Sequence, residues 1–203
     1  MKRLAWVALL GLSACITLVN YVGKGYEAYQ KGDLEGAEQF YRKAVKFRPR
    51  DPIAHNNLGV VLQDLDRVEE AIPFFKLAGV LSKTPYAAPH VNLARAYYEL
   101  GKLDEAREAT EKAVSMDGGN PITLLIAANV YCARNEKLDA ARGFARTAVE
   151  KIGDADKAAA WSTLAELEYK LNNIAAAITA IDTAIALDTD NSLYRQQKAL
   201  YRP

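Results

Sequence analysis

The sequence contains few of the residues that build metal centres and disulfide frameworks. Among 203 residues there are only 2 cysteines and 2 histidines, so a structural zinc site, which needs about four such ligands, would require every one of them. Charge of neither sign is in excess, since Lys and Arg total 26 against 25 for Asp and Glu. A nucleic-acid-binding protein usually shows a clear basic excess, so we expect no nucleic-acid partner.

Motifs for catalysis and cofactor binding are also missing. The sequence has no glycine-rich phosphate loop, no His-Glu-x-x-His helix and no Gly-x-Ser-x-Gly turn. His55 and His90 lie 35 residues apart, in places that we interpret as core packing positions, because a metal site would need a third ligand nearby. We therefore expect a protein that is not an enzyme, with no catalytic residues, no metal site and no cofactor.

One long apolar run stands at the N-terminus. Two basic residues precede nine apolar residues, Leu4 to Leu12, which is the arrangement of a secretory signal peptide. The segment Leu12-Ser13-Ala14-Cys15 resembles a bacterial lipobox, and the resemblance implies cleavage before Cys15 and lipid attachment to its thiol. We predict a signal peptide over residues 1–14 and a lipidated Cys15.

A membrane anchor is the alternative for the same segment. Leu4 to Val22 is a 19-residue stretch without a charged residue, long enough to span a bilayer as one helix. Both alternatives place the rest of the chain on the far side of the cytoplasmic membrane. A cytosolic protein, in which the apolar run is part of a buried helix, is the third reading.

Alanines recur through the rest of the chain at a nearly constant spacing. In the first set the steps are 34, 35, 35 and 36 residues, and a second set follows each member seven residues later. A period of about 34 residues is typical of stacked helical hairpins. The first set is Ala37, Ala71, Ala106, Ala141 and Ala177, and the second is Ala44, Ala78, Ala113, Ala148 and Ala184.

Motifs within each period resemble the tetratricopeptide repeat. The second period reads His55-x-x-Leu58-Gly59-x-x-Leu62, and the fifth carries Trp161-x-x-Leu164-Ala165. The resemblance covers nearly all of residues 18–203 and implies an all-α fold, a right-handed superhelix of stacked helical hairpins. The expected repeat domain is 18–191, with repeats at 18–51, 52–86, 87–120, 121–157 and 158–191.

The turn inside each hairpin has its own signal. Gly32 and Gly101 stand where a first helix ends, and glycine takes a left-handed backbone conformation there without steric cost. Asp66, Glu136 and Asn172 occupy the same place in the other repeats. Because Asn tolerates this conformation best of these three, we expect different turns in repeats two and four.

Residues 192–203 form a last amphipathic segment. A repeat stack exposes an apolar end unless a polar-faced helix covers it, so we predict a capping helix with Ser192 as its N-cap. We expect Leu193, Ala199 and Leu200 to pack inward. The residues expected to face water are Arg195, Gln196, Gln197 and Lys198.

In the repeat family, the first helices of the hairpins line a concave face, and this geometry implies a partner-binding surface here. Tyr and Arg, the residue types that most often dominate binding energy, are among the residues assigned to it. A peptide or helix of a protein partner is expected to lie in this groove; the alternative is that the tyrosines only pack against neighbouring helices. The candidate binding residues are Tyr26, Tyr29, Asn56, Val60, Gln63, Arg95, Tyr98, Asn129, Glu166 and Tyr169, with Val91, Leu125, Cys132 and Ser162 at the remaining concave positions.

Chaperone-binding members of the family hold a peptide's terminal carboxylate with lysines and arginines from three first helices. The matching positions here contain no basic residue, and only Asn57 agrees with that pattern. We therefore expect no such clamp. The matching residues are Val22, Tyr26, Asn57, Ala88 and Asn92.

The combined expectation is a non-catalytic interaction scaffold tethered to the bacterial envelope and facing the periplasm. It resembles the lipoproteins of this architecture that assist assembly of type IV or Tad pili and secretins, and also the adaptors that gather cell-wall hydrolases. Ile16, rather than aspartate, follows Cys15, which by the family rule implies the outer membrane. The alternative is a signal-anchored inner-membrane protein that recruits partners to a membrane complex.

Overall fold

The structure is a computed structural model that describes residues 21–201. This part of the chain contains eleven α-helices and no strand, so the all-α expectation is confirmed. The predicted signal peptide 1–14 and the lipid site Cys15 lie outside the described residues. The helices are α1 (21–30), α2 (Leu34–Phe47), α3 (Pro52–Asp64), α4 (Val68–Leu81), α5 (Ala88–Glu99), α6 (Leu103–Asp117), α7 (Pro121–Arg134), α8 (Leu138–Lys151), α9 (Asp154–Lys170), α10 (Ile174–Leu187) and α11 (Ser192–Leu200).

The helices form hairpins in two compact units, the first ending at Ala96 and the second beginning at Tyr97, inside α5. In the first unit α3 packs against α2 and α4. In the second unit α7 packs against α6 and α8, and α9 packs against α8 and α10. Among residues 21–201, no helix combines the length and the apolar character needed to cross a membrane.

The periodic alanines are core residues in both units. All five members of the first set are 0% exposed, and no member of the second set is more than 2% exposed. The small residues permit close approach of the helices: a Cβ added to Gly59 would lie 2.5 Å from Phe75 Cε1, and one added to Gly25 would lie 2.7 Å from Tyr41 Cε1. Larger side chains would force the helix axes apart at these crossings.

Side-chain caps determine where two of the first helices begin. Asp51 Oδ1 accepts hydrogen bonds from the backbone N–H groups of the next turn, at 3.0 and 3.2 Å, and Asn120 does the same for α7. Pro52 and Pro121 follow at the first helical position, where proline loses no intrahelical hydrogen bond.

The turns within the hairpins agree only in part with the expectation. Asp66 (φ 58°) and Asn172 (φ 62°) adopt the same left-handed conformation as the glycines, so repeat two turns like its neighbours and that prediction was wrong. Repeat four does differ, because Asn135 (φ 54°) and Lys137 (φ 47°) are the left-handed residues there, rather than Glu136. The Glu136 carboxylate instead pairs with the Arg134 guanidinium at 2.8 Å.

The last helix buries a different face from the one predicted. Leu193 and Leu200 are 66% and 70% exposed, whereas Tyr201 is 3% exposed. The face that packs carries Tyr194, Gln197 and Tyr201, which are spaced three and four residues apart and therefore lie on one side of the helix. The Tyr201 ring stacks on Tyr169 with a centroid distance of 4.6 Å, and Gln197 Nε2 donates to the Ser162 carbonyl oxygen at 3.2 Å, so these contacts hold this face against α9. The N-cap is Asn191, whose Oδ1 accepts from the Leu193 N–H at 3.1 Å, and not Ser192.

Candidate partner-binding face

Polar side chains connect successive first helices of the first unit. The Tyr29 hydroxyl on α1 donates to Asp64 Oδ2 on α3 at 2.7 Å, and Asn92 Nδ2 on α5 donates to Asn56 Oδ1 on α3 at 3.1 Å. The partners are 35 and 36 residues apart, so each bond links a position in one repeat to the residue next to its equivalent in the adjacent repeat. These bonds hold the inner sides of α1, α3 and α5 together.

An open pocket lies on this inner side, between α1, α2 and α3. It has a volume of about 170 Å³, and the sequence-predicted residues Tyr26, Tyr29 and Val60 line it together. Tyr26 is 56% exposed, so its ring is available to a partner. The complete lining is Tyr26, Tyr29, Tyr41, Asn57, Val60 and Val61.

Tyr41 lines the pocket although it is not among the residues predicted for the binding face. Tyr41 is on a second helix, but the missing Cβ of Gly25 lets its ring approach α1 and reach the inner side. The pairing of Gly25 in a first helix with Tyr41 in the following second helix is the sequence feature that could have predicted this contact. Burial raises the pKa of Tyr41, and a hydrogen bond with Asn57 opposes that change.

The charges beside the pocket act on Tyr29. Its hydrogen bond to Asp64, followed by partial burial and by the Asp64 charge, raises the pKa of Tyr29 to about 12, while the positive charge of Arg95 opposes this change. Arg95 is half-buried on α5. Among the described residues, no carboxylate oxygen lies within 4.0 Å of its guanidinium.

The remaining candidate residues of the first unit contribute differently. Asn56 is 5% exposed and is engaged with Asn92, so it supports the face from beneath. Gln63 is half-buried and is not part of the pocket lining. The exposed and half-exposed contact surface is therefore centred on the pocket and Arg95.

In the second unit three of the candidate residues are each engaged by another side chain of the same unit. Asn129 Oδ1 accepts from Thr163 Oγ1 at 2.7 Å, and the Tyr169 ring stacks on Tyr201 with a centroid distance of 4.6 Å. Lys170 Nζ lies 3.5 Å from Glu166 Oε1, which neutralises that inner acid.

Two further inner residues of the second unit differ in accessibility. Tyr98 is 38% exposed, so its ring offers contact area; burial, followed by the Glu166 charge, raises the pKa of Tyr98. Cys132 is 2% exposed, and burial raises the pKa of its thiol to about 12. Cys132 is therefore a packing residue and not a contact or a reactive thiol.

A larger cavity, of about 440 Å³, opens among α8, α9 and α10 in the second unit. It contains Glu168, whose side chain is 3% exposed, with Oε1 2.6 Å from Arg146 Nη2 and Oε2 accepting from Asn173 Nδ2 at 2.8 Å. Sequence reasoning missed this network because glutamate is usually exposed. The lining is Arg146, Val149, Glu150, Trp161, Leu164, Glu168, Ala176, Thr179 and Ala180.

Within residues 21–201, no group of three or more His, Cys, Asp or Glu side chains is placed to hold a metal ion. His55 is 3% exposed, with Nε2 2.9 Å from the Pro49 carbonyl oxygen and its ring stacked on Phe74. His90 lies against Gly79, where an added Cβ would be 3.1 Å from its ring. Both imidazoles are thus packed against neighbouring helices.

Two family models match the chain. A model described as TPR repeat matches residues 25–66, and one described as Tetratricopeptide repeat matches residues 87–120. Anaphase-promoting complex subunit 6 of Arabidopsis thaliana is 32% identical over 102 residues, which cover 47% of this chain and 18% of that protein. The chain spans only 12% to 21% of the length of five curated relatives that it matches.

Solved structures share the fold at low sequence identity. A chain of the APC/C hetero-tetramer Cut9–Hcn1 superposes with a TM-score of 0.80 at 20% identity, covering 91% of this chain and 36% of that one. YrrB, a TPR protein with an unusual peptide-binding site, superposes with a TM-score of 0.65 at 20% identity, covering 88% and 90%. The chain therefore carries tetratricopeptide repeats in an all-helical fold of stacked hairpins, a fold that generally serves as a non-catalytic scaffold for protein–protein interactions.

Proposed function

We propose that the protein is a non-catalytic scaffold that holds a segment of a protein partner on its inner face and is tethered to the bacterial envelope. The observation that carries the proposal is the open, tyrosine-lined pocket on the first helices of the first unit. Tyrosine supplies a large, rigid contact area with little loss of conformational freedom. YrrB, which has the same fold, has a peptide-binding site, and this supports a peptide as the occupant.

The tether is proposed from the N-terminal sequence. A lipid on Cys15, after removal of residues 1–14, would hold the repeats at the outer membrane, since Ile16 and not aspartate follows it. There the scaffold would assist assembly of an envelope complex such as a type IV or Tad pilus or a secretin. The uncharged stretch Leu4 to Val22 favours one other candidate, a signal-anchored inner-membrane protein that recruits partners to a membrane complex.

Membrane fractionation with intact-mass measurement tests the tether. We expect the wild type to lose residues 1–14 and gain acyl mass, and we expect Cys15→Ala to lose both changes. Cys132→Ala is the matched control, because it removes the buried thiol and leaves the N-terminus intact. A membrane-bound chain that retains Met1 would favour the anchor, and a soluble full-length chain would contradict both forms of tether.

Site-specific photo-crosslinking in the bacterial envelope tests the binding face. A photoreactive phenylalanine analogue at Tyr26 should capture a protein partner, because this ring borders the pocket. Val80 is the control position, since it lies on α4 in the same unit, is 81% exposed and is outside the pocket lining. Equal capture at both positions, or capture at Val80 alone, would contradict the proposed face.

A further inference from the structure

The pocket of the first unit has the size of a single-residue site. Its volume of about 170 Å³ is well below the roughly 300–1,000 Å³ of sites that enclose a whole small molecule. The walls are tyrosine rings and the side chains of Val60 and Val61, with the amide of Asn57 among them. An apolar side chain of an extended segment fits such a pocket, while an amide at its edge can bond to the segment's backbone.

Arg95 places a half-buried positive charge on α5, the helix that is hydrogen-bonded to the pocket helix α3. The Asn92–Asn56 hydrogen bond sets α5 against α3, and Arg95 lies one turn beyond Asn92 on α5, as the pocket residue Val60 lies one turn beyond Asn56 on α3. In agreement with this placement, the charges of Asp64 and Arg95 both act on the pKa of Tyr29. The Asp64 carboxylate accepts the Tyr29 hydrogen bond, and the ion pairs of residues 21–201 within 4.0 Å include none between Asp64 and Arg95. A half-buried guanidinium without a carboxylate partner favours a carboxylate brought by a ligand, because it can donate two parallel hydrogen bonds to it.

The second unit shows the contrasting arrangement. Its inner acid, Glu166, already has Lys170 Nζ at 3.5 Å, so its charge is balanced within the chain. Arg95 is therefore the residue of the candidate face that is placed to bind a charged group of a partner. The neighbouring side chains of Asn56 and Asn92 are uncharged amides that are hydrogen-bonded to each other, so they add no charge to this face.

The carboxylate that Arg95 would bind belongs to a side chain and not to a chain end. The members of this repeat family that bind a peptide's terminal carboxylate do so with lysines and arginines at defined positions of the first helices. In this chain those positions hold uncharged side chains. A single guanidinium beside an apolar pocket instead suits an Asp or Glu within a segment that continues in both directions.

We propose that the inner face of the first unit recognises an extended protein segment in which an apolar side chain enters the tyrosine-lined pocket and a nearby Asp or Glu side chain pairs with Arg95. This inference rests on the proposed function, from which it takes the peptide as occupant. It adds the chemical class of the partner segment and does not depend on the membrane tether.

Fluorescence anisotropy with the full chain tests the inference. The probes are fluorescent peptides blocked at both ends, carrying one fixed Phe and one fixed Glu, Gln or Lys in otherwise randomised surroundings. We expect the Glu peptides to bind tightest. Arg95→Gln should weaken their binding about tenfold to a hundredfold, as loss of a charged hydrogen-bonded pair implies, with little effect on the Gln peptides.

Three variants make the test specific. Arg50→Gln removes an exposed positive charge of the same unit outside the pocket lining and should leave binding unchanged. Arg95→Lys keeps the charge without the paired donors and should give an intermediate affinity. Asp64→Asn should strengthen binding of the Glu peptides by removing a repulsive charge. Circular dichroism establishes that each variant is folded.

Several results would overturn the inference. Tighter binding of the Lys peptides would mean that Asp64 dominates the face, and equal weakening of all peptides by Arg95→Gln would mean that Arg95 has only a structural role. Binding that requires a free C-terminus would indicate a terminal carboxylate. If no peptide binds but Tyr26 still captures a partner, the inference fails and the proposed function stands; if neither occurs, both fail.

Discussion

Replacement of Glu168 by glutamine should destabilise the second unit. The Glu168 side chain is 3% exposed, and its two oxygens face the Arg146 guanidinium at 2.6 Å and the Asn173 amide at 2.8 Å. Glutamine has the same shape but only one accepting oxygen. Whichever way its amide turns, one of the two neighbouring donors faces another donor.

The expected loss follows from the exposure of the partners. A hydrogen bond to a charged group contributes about 1.5–3 kcal/mol. The larger penalty of about 3–5 kcal/mol for stranding a buried charge does not apply, because the Arg146 side chain is 56% exposed and regains water. Arg142, whose guanidinium lies 3.9 Å from Glu168 Oε2, keeps its ion pair with Asp139 at 2.8 Å. We expect Glu168→Gln to lower the free energy of unfolding by about 2 kcal/mol.

The matched control is Glu166→Gln, on the same helix. The Glu166 side chain is 47% exposed and pairs with Lys170 at 3.5 Å, so its loss should cost about 0–1 kcal/mol. Urea unfolding measures the stability loss of both variants. Trp161 fluorescence is the probe, since Trp161 lines the same cavity as Glu168. A Trp6→Phe background leaves Trp161 as the sole tryptophan.

With an m-value of about 2 kcal/mol/M, the urea midpoint should fall by about 1 M for Glu168→Gln and by less than about 0.5 M for the control. A local probe is used because repeat units need not unfold together. Equal shifts for the two variants, or a larger shift for the control, would refute the reasoning that burial makes the Glu168 contacts the stronger ones.

Three further predictions concern the candidate face and the core. Asp64→Asn should lower the pKa of Tyr29 from about 12 toward its ordinary value of 10, as measured by nuclear magnetic resonance titration. In the wild type, folding favours the neutral Tyr29 phenol. The stability that Tyr29 contributes is therefore complete below pH 10 and is lost as the pH rises through 12. With the other cysteine replaced by serine, Cys132 should react with a thiol reagent only after unfolding, because burial raises its pKa to about 12 and shields it. Gly59→Ala should lower the free energy of unfolding by about 1–3 kcal/mol, because the added methyl group overpacks the helix crossing. Gly143→Ala is the control, because no atom lies within 4 Å of its added Cβ. Thermal unfolding should show a gain of about 0.5–1 kcal/mol for it, since alanine favours the helix over glycine.

Each of these predictions has a contradicting result. An unchanged Tyr29 titration in Asp64→Asn would mean that the hydrogen bond does not control the pKa. Rapid modification of native Cys132 would mean that α7 opens readily or that the thiol is accessible. A stabilising Gly59→Ala would mean that the helix crossing at this position has room for a methyl group.

Much of the fold could be predicted because its signals are local. The alanine sets gave the hairpin period, since a small residue is required wherever two helices cross closely, and every member is buried. The face bearing Tyr26, Tyr29 and Val60 could be located because first-helix positions repeat with the same period. The predicted set of pocket residues was incomplete, because Tyr41 reaches the pocket from a second helix by packing against Gly25, which has no side chain.

Other features depended on which atoms the stacked hairpins bring together. Sequence alone favoured Leu193 and Leu200 as the packing residues of the last helix, but the surface available on α9 accepts the Tyr201 ring against Tyr169 and leaves the leucines exposed. The buried contacts of Glu168 likewise depend on the offset between neighbouring hairpins. The sequence by itself determined that the protein is a stack of helical hairpins, because small residues repeated every 34 to 36 residues mark the helix crossings of repeated hairpins. Only the tertiary structure decided which polar groups meet, because partners about 35 residues apart become neighbours only when the hairpins stack.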